Sequence, residues 1–418
     1  MKERHNIDRR NFLKTVGAAG LGSALASTKA ISQEKTQKTR PTPVPKRKLG
    51  KTGVDISSLA LGTAISNFVQ NQIVLRNSLL RGVTCWDTAT NYAGGNSELG
   101  IGKYLAKNPQ ARKKLFIITK PPDIKTPMPD AADIEKHLQT SLKRMNTGYI
   151  DLYLGLHNIL NPAQLTNELK EWSQSAKKRK LIRLFGFSTH NNMAQCLAAA
   201  AKLNWIDAVM TVYNFRLMQD AKMQVSVKAC QKAGIGLIAI KTLAAGPAAR
   251  WVGQDVKVET EQDKKLIAHF TKKGFTTEQA KIKVALQDKS FNSVCVGMGN
   301  VTVLNSNVAA VLDKTELSQA DMEVFKEYAA ATCSGYCAGC SDICNAALTE
   351  TSYVSDIMRY LMYYNSYGDT GRARELFAQI PYSVRSKLLS TDYSAAEARC
   401  PQRMPIAKLV AEAVRKLA

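Results

Sequence analysis

From residue 46 onward, short apolar runs alternate with longer stretches in which apolar residues recur every three or four positions. The short runs at 58–62, 84–87, 115–119, 150–156, 182–187, 208–212, 236–240 and 293–296 predict strands. The stretches at 71–80, 97–107, 133–145, 164–178, 193–202, 220–232, 277–287 and 301–312 predict helices. Eight strand–helix pairs require parallel strands with crossover helices. A closed (β/α)8 barrel of the TIM type is the simplest arrangement of eight such pairs. A doubly wound open sheet is the runner-up, but no Gly-x-Gly-x-x-Gly follows the first strand. Residues 47–56, with Gly50 and Gly53 at turn positions, predict a hairpin ahead of the barrel. The long, partly polar stretch 244–276 is expected to be a loop over the mouth.

After residue 315 the alternation stops. One helix is predicted over 318–332, capped by Ser318 with Glu323 two turns in. A cysteine-rich segment and helices near 354–364, 370–379 and 405–417 follow. The chain therefore divides into a barrel, 46–315, and a small helical appendix, 316–418, too poor in strands to form its own sheet.

Composition changes this picture little. Hydrophobic residues make up 45% of the chain, enough for a full core. Lysine and arginine outnumber acids 58 to 34, a net charge of +24. These charges scatter over predicted helices without a nucleic-acid motif or a basic–aromatic pattern. No nucleic-acid partner is expected, and weak attraction to anionic surfaces is the most the charge supports.

The N-terminus, Asp8-Arg9-Arg10-Asn11-Phe12-Leu13-Lys14 with a mild apolar stretch at 16–25 and small residues at 24–26, resembles a twin-arginine export signal. Residues 1–26 are assigned to that signal, and the Pro-rich 27–45 to a linker. The signal is too short to span a membrane stably. No transmembrane segment is expected, and no cysteine is placed for a lipid anchor. The resemblance implies delivery of the folded protein to the periplasm or another extracytoplasmic space by the twin-arginine machinery.

Nine cysteines do not form a disulfide-like framework. Cys85, Cys196, Cys230 and Cys295 fall singly on predicted elements and read as buried apolar residues. Cys333, Cys337, Cys340 and Cys344 crowd together, and Cys400 stands alone before Pro401. That density points to metal or iron–sulfur ligation.

Asp87, Tyr92, Lys120 and His157 each lie at or just past the C-terminal end of a predicted strand. In a barrel those ends converge on the face that carries chemistry. An acid, a base and two charge partners gathered there make a proton-transfer site. The segments around them are 86–92 with Gly94, Ser97, Glu98 and Gly100, then 118–120, 149–157 and 186–188. Together they resemble the aldo/keto reductase family over residues 46–312. The resemblance implies hydride transfer between a nicotinamide, NADP or NAD, and a small carbonyl or alcohol substrate. Tyr92 would supply the proton, although a phenol has a pKa near 10. Lys120 beside it is expected to lower that value, Asp87 to hold Lys120, and His157 to hydrogen-bond the carbonyl.

The family pattern further implies that Ser188 contacts the carboxamide and that Gly297, Gly299, Asn300 and Asn307 lie in the segment that usually holds the 2′-phosphate. Lys241 reads equally as a pyrophosphate contact or as an exposed loop lysine. Five positions depart from the pattern. Thr189 replaces the usual Asn, Met210 the usual Gln, Ile240 an aromatic, and Gly297 and Val303 stand where cations usually hold the 2′-phosphate. NAD therefore remains open beside NADP.

The appendix resembles the ferredoxin-like extension of some members, through 336–340, 359–363 with Tyr367-Gly368, and 400–402. It implies one 4Fe-4S cluster on Cys337, Cys340, Cys344 and Cys400, with Cys333 as alternative ligand and structural zinc as alternative metal. The spacing of Cys333, Cys337 and Cys340 also matches radical enzymes, but it lies behind a complete barrel. The expected function is an exported reductase whose cluster passes electrons to a partner. The alternative is a degenerate, cofactor-loaded binding or electron-transfer protein with a structural metal site.

Overall fold

A computed structural model describes residues 41–418 except 65–67, 124–129, 248–250, 253–255, 258 and 349–352. The export signal and most of the linker read from the sequence lie outside the described residues. Strands Leu59–Gly62, Cys85–Asp87, Phe116–Thr119, Ile150–His157, Ile182–Thr189, Ala208–Val212, Gly236–Ile240 and Ser293–Gly297 form a closed barrel. Each pairs in parallel with the next, and the last closes on the first with Gly297 opposite Gly62. The predicted (β/α)8 barrel is therefore the fold, and the strand predictions fall on its strands.

Alternate strand residues explain why the runs were continuously apolar. Ala60, Phe116, Ile118, Leu152, Leu154 and Met210 fill the barrel interior. Leu61, Trp86, Ile117, Tyr153, Phe185 and Val209 face outward under the helices. A strand buried on both faces has no polar side to show. The hairpin forms as predicted, Lys46–Lys48 against Asp55–Ser57. Its Leu49 and Ile56 join the interior core and plug the end opposite the chemistry.

Three elements differ from expectation. The stretch 244–276 holds a helix, Glu261–Thr271, started by a capping box of Thr260 and Asp263. The helix expected from 164 begins at Asn167, because Leu165 and Thr166 break it from a preceding 3-10 turn and Thr166 caps it. Helix Gln319–Ala331 is capped by Ser318 with Asp321, rather than with Glu323. Its Phe325 packs with Phe215, Leu266, Phe270 and Val284 on the barrel's flank, not with the later helices.

Those later helices, chiefly Val354–Tyr367, Thr370–Ala378 and Ile406–Leu417, enclose their own core of Ile357, Leu361, Leu376, Phe377, Leu409 and Val410. Helix Val354–Tyr367 is nearly buried along its length because it lies across the barrel mouth. Asn191 donates to Asp356 and accepts from Ser355. Asn365 and Ser366 donate to the carbonyls of Pro247 and Gly246. Arg359 closes the contact with an ion pair to Asp123 at 2.7 Å.

Candidate active site

The mouth encloses a cavity of about 320 Å³ lined by Asp87, Tyr92, Lys120 and His157. Strand ends deliver three of them. Asp87 ends the second strand, Lys120 follows the third, and His157 ends the fourth. Tyr92 sits on the turn Tyr92–Gly95, where Ala93 and two glycines adopt positive φ. Glu98 anchors this turn from the following helix. It is buried, accepts from Thr119, and pairs with Arg144, which donates to the Thr90 carbonyl at 2.6 Å.

Lys120 Nζ donates to Asp87 Oδ1 at 2.6 Å and to the Thr88 carbonyl at 2.7 Å. Asp87 holds the Lys120 ammonium in its charged form despite burial. Burial pushes the carboxyl of Asp87 upward, and Lys120 works against that push. Lys120 lies 4.8 Å from the Tyr92 ring centre. The expected lowering of the Tyr92 pKa is not what results. Burial raises it, and Asp87 offsets much of the pull from Lys120.

His157 also departs from its expected role. Its Nδ1 lies 3.0 Å from the Pro121 carbonyl, which can only accept, so Nδ1 carries the hydrogen. Burial lowers the imidazole pKa to about 3, so the ring is neutral. Nε2 is then a bare acceptor, suited to a hydroxyl rather than to a carbonyl oxygen.

Of the expected cofactor residues, Ser188, Lys241 and Gly297 line the cavity with Met210 and Ile240. Ser188 Oγ accepts from the Asn158 backbone. The hydroxyl of Thr189 is committed to the carbonyls of Ile159 and Asn191. Gly299 and Asn300 are exposed just beyond the eighth strand, where Asn300 caps helix Val301–Leu312. Asn307 is buried on that helix, and its Nδ2 has no partner.

Nothing in the spacing of residues indicates that the appendix builds one wall of the cavity. Tyr363, Tyr367, Asp369 and Arg372 all line it. The segment 359–363 with Tyr367 was visible as a motif, but its contact with the barrel was not. Lys241 is no loop-surface residue. It has φ of 56° and its Nζ lies 4.5 Å from the Tyr363 ring and 4.7 Å from that of Tyr367.

Cys337, Cys340, Cys344 and Cys400 share one neighbourhood. Burial raises the first three thiols, Cys340 to about 11 and Cys344 to about 12, and Cys400 adds charge repulsion to each. Cys333 has the Arg403 guanidinium 3.6 Å from its sulfur. Among the described residues, no three His, Cys, Asp or Glu side chains stand as a metal-binding group. No described helix is long and apolar enough to cross a membrane.

The sequence profile of the aldo/keto reductase family matches residues 58–330. The chain is 24% identical over 302 residues to L-galactose dehydrogenase of Arabidopsis thaliana, covering 68% of this chain and 93% of that protein. It is 28% identical over 247 residues to aldo-keto reductase AFTS1 of Alternaria alternata, covering 49% of this chain and 66% of that one. The crystal structure of the thermostable aldo-keto reductase Tm1743 with the inhibitor epalrestat matches with a TM-score of 0.55 at 26% identity, over 68% of this chain and 99% of that one. The holo form of aldo-keto reductase AKR11C1 from Bacillus halodurans shares the fold, with a TM-score of 0.54 and 21% identity over 68% of this chain and 96% of that one. With the profile spanning more than half of its length, this chain belongs to the aldo/keto reductase family.

Proposed function

We propose that the protein is an exported, NAD(P)-dependent reductase of small carbonyl compounds, working reversibly on the corresponding alcohols. The observation that carries the reading is a phenol, Tyr92, set against the buried Lys120–Asp87 pair in an apolar-walled cavity that also holds His157. Ser188, Met210, Ile240 and Gly297 would hold a nicotinamide, which would supply or accept the hydride. Tyr92 gives its phenolic proton to the carbonyl oxygen, and Lys120 stabilises the phenolate left behind. Asp87 keeps Lys120 charged and in place. His157 accepts the hydroxyl of the alcohol at Nε2 and so orients it.

Tyr92→Phe is expected to lower kcat/KM for carbonyl reduction by about 10²–10⁴ while leaving nicotinamide affinity unchanged. Turnover within about tenfold of wild type would remove Tyr92 from the acid role. Turnover also separates this reading from the alternative of a degenerate, cofactor-loaded binding protein, which the loss of polar carboxamide partners at Thr189 and Met210 favours. Such a protein would hold nicotinamide without reducing any carbonyl.

In the appendix, Cys337, Cys340, Cys344 and Cys400 would hold one 4Fe-4S cluster, able to exchange single electrons with a partner. The shared electrostatic neighbourhood of these thiols supports the choice over Cys333. Bound iron would keep as thiolates the sulfurs that burial alone leaves protonated. Zinc is the alternative occupant, and metal analysis of anaerobically purified protein decides between them.

A further inference from the structure

The appendix brings to the mouth a positive charge that the reductase reading does not use. Arg372 stands with its guanidinium carbon 4.8 Å from the Tyr92 ring centre and 4.9 Å from that of Tyr363. Lys241 approaches the same Tyr363 ring from the loop after the seventh strand, at 4.5 Å. Both cations line the cavity, and burial works against the charge of each.

Neither has a carboxylate partner among the described residues. The third cation here, Arg359, pairs through its two terminal nitrogens with Asp123 and Asp356. Asp87 is taken by Lys120. Asp369 lines the cavity too, but its carboxylate caps helix Thr370–Ala378 through the Arg372 backbone. The Nε of Arg372 is buried with no acceptor at all. Half-buried cations whose nearest partners are aromatic rings and the Tyr363 phenol, not carboxylates, are compensated only in part. A guanidinium in this state matches a planar carboxylate with two parallel donors.

We propose that Arg372, with Lys241, is a carboxylate-binding site, and that the substrates are carbonyl compounds bearing a carboxylate close to the reacting carbon. This rests on the reductase reading for the carbonyl and on the cations without carboxylate partners for the acid. Arg372 touches the ring of Tyr92, so an anion on it lies beside the carbonyl that Tyr92 would protonate. That position favours a substrate carboxylate over a phosphate of the dinucleotide. A second cavity of about 420 Å³ also reaches Arg372, lined by Asn91, Gly94, Asp369 and Glu375. Tyr363 fits the arrangement as a provisional counterion, since the surrounding cations lower its phenol to about 7.

The test uses the full chain loaded with nicotinamide. Benzoate and benzamide are titrated by calorimetry, and phenylglyoxylate and its methyl ester are compared as substrates. Benzoate is expected to bind at least about tenfold more tightly than benzamide, and the acid to exceed the ester in kcat/KM by a similar factor, the low end for charge-assisted hydrogen bonds. Arg372→Met is expected to collapse both ratios toward one, whatever the absolute rates. If that variant does not fold, Lys241→Met reports on the same site and should lower both ratios. Equal binding of benzoate and benzamide by wild type, with both carbonyls reduced alike, overturns the acid site and leaves the reductase reading intact. Arg372-dependent benzoate binding with no carbonyl turnover keeps the acid site and overturns the reductase reading. A larger loss of nicotinamide affinity than of benzoate affinity in Arg372→Met assigns the cations to the cofactor phosphates and also overturns the proposal.

Discussion

Asp87 and Lys120 show how one residue's chemistry depends on its neighbour. Their side chains are 5% and 2% exposed, so neither charge has water to turn to. Removing one partner of such a pair strands the other. Asp87→Asn is therefore expected to destabilise the fold by about 3–5 kcal/mol, read by urea unfolding. A loss below about 1 kcal/mol would mean that the pair is hydrated and adds little, as surface pairs do. The same pair explains why Tyr92 does not have the lowered pKa that its spacing to Lys120 suggested. Lys120 was legible beside Tyr92, but burial and the neutralising Asp87 act through space and leave no mark on spacing. Tyr363 carries the opposite lesson. It faces Lys241 from the loop, Arg359 and Tyr367 on its own helix, Arg372 on the next, and Tyr92 in the cavity. Its phenol, lowered to about 7, is neutral below that pH and anionic above it. A bound carboxylate competes with the phenolate and favours the neutral phenol. Benzoate affinity should therefore be full below pH 7 and fall as pH rises through it. Tyr363→Phe should flatten that profile, and an unchanged fall in the variant would place the titrating group elsewhere.

At the scale of elements, the strands were legible because apolar residues on both faces leave short unbroken runs bounded by turns. The hairpin was legible through Gly50 and Gly53. Helix Glu261–Thr271 was not, since only Leu266 and Phe270 are buried apolar residues on it and most of the rest is polar. Thr260 and Asp263, three apart, were the signal to look for. Helix Val354–Tyr367 was legible as a helix, but its role was not. A stripe of Arg359, Tyr363 and Tyr367 has ordinary helical spacing, and only the fold brings it back to strand ends formed by distant residues. The cysteine-bearing elements are the least anchored. Cys344 belongs to the appendix core, while Cys337 and Cys400 pack at its edge. If one cluster joins them, it ties helix Ser341–Ala347 to the turn after Ser394–Arg399. Cys400→Ser is then expected to lose iron and sulfide and to open the C-terminal helices to limited proteolysis, while Cys333→Ser keeps both. Full iron in Cys400→Ser would move the fourth ligand elsewhere, and zinc in place of iron in the wild type would replace the cluster by a structural metal.

The whole molecule links a covered mouth to a proposed route out of the cytoplasm. Helix Val354–Tyr367 lies over the cavity, held by Asn191, Asn365, Ser366 and the Arg359–Asp123 pair. A nicotinamide beneath it would leave slowly, because these contacts must open first. Outside the cytoplasm no free pool of the cofactor is expected, so a reductase there must arrive loaded and keep its charge. Export in the folded state would satisfy that requirement, and it is the mode we propose from the Arg9-Arg10 motif. Two measurements follow from one experiment. Replacing Arg9 and Arg10 by Lys is expected to leave the full-length protein in the cytoplasm, whereas wild type appears shortened in the periplasmic fraction. Periplasmic wild type is expected to yield close to one nicotinamide per chain on acid release. Normal export of the double variant would remove the twin-arginine reading. Export of a chain that carries no nicotinamide would break the link between the covered mouth and folded passage, and would leave the barrel to meet its cofactor, or its electrons, on the far side.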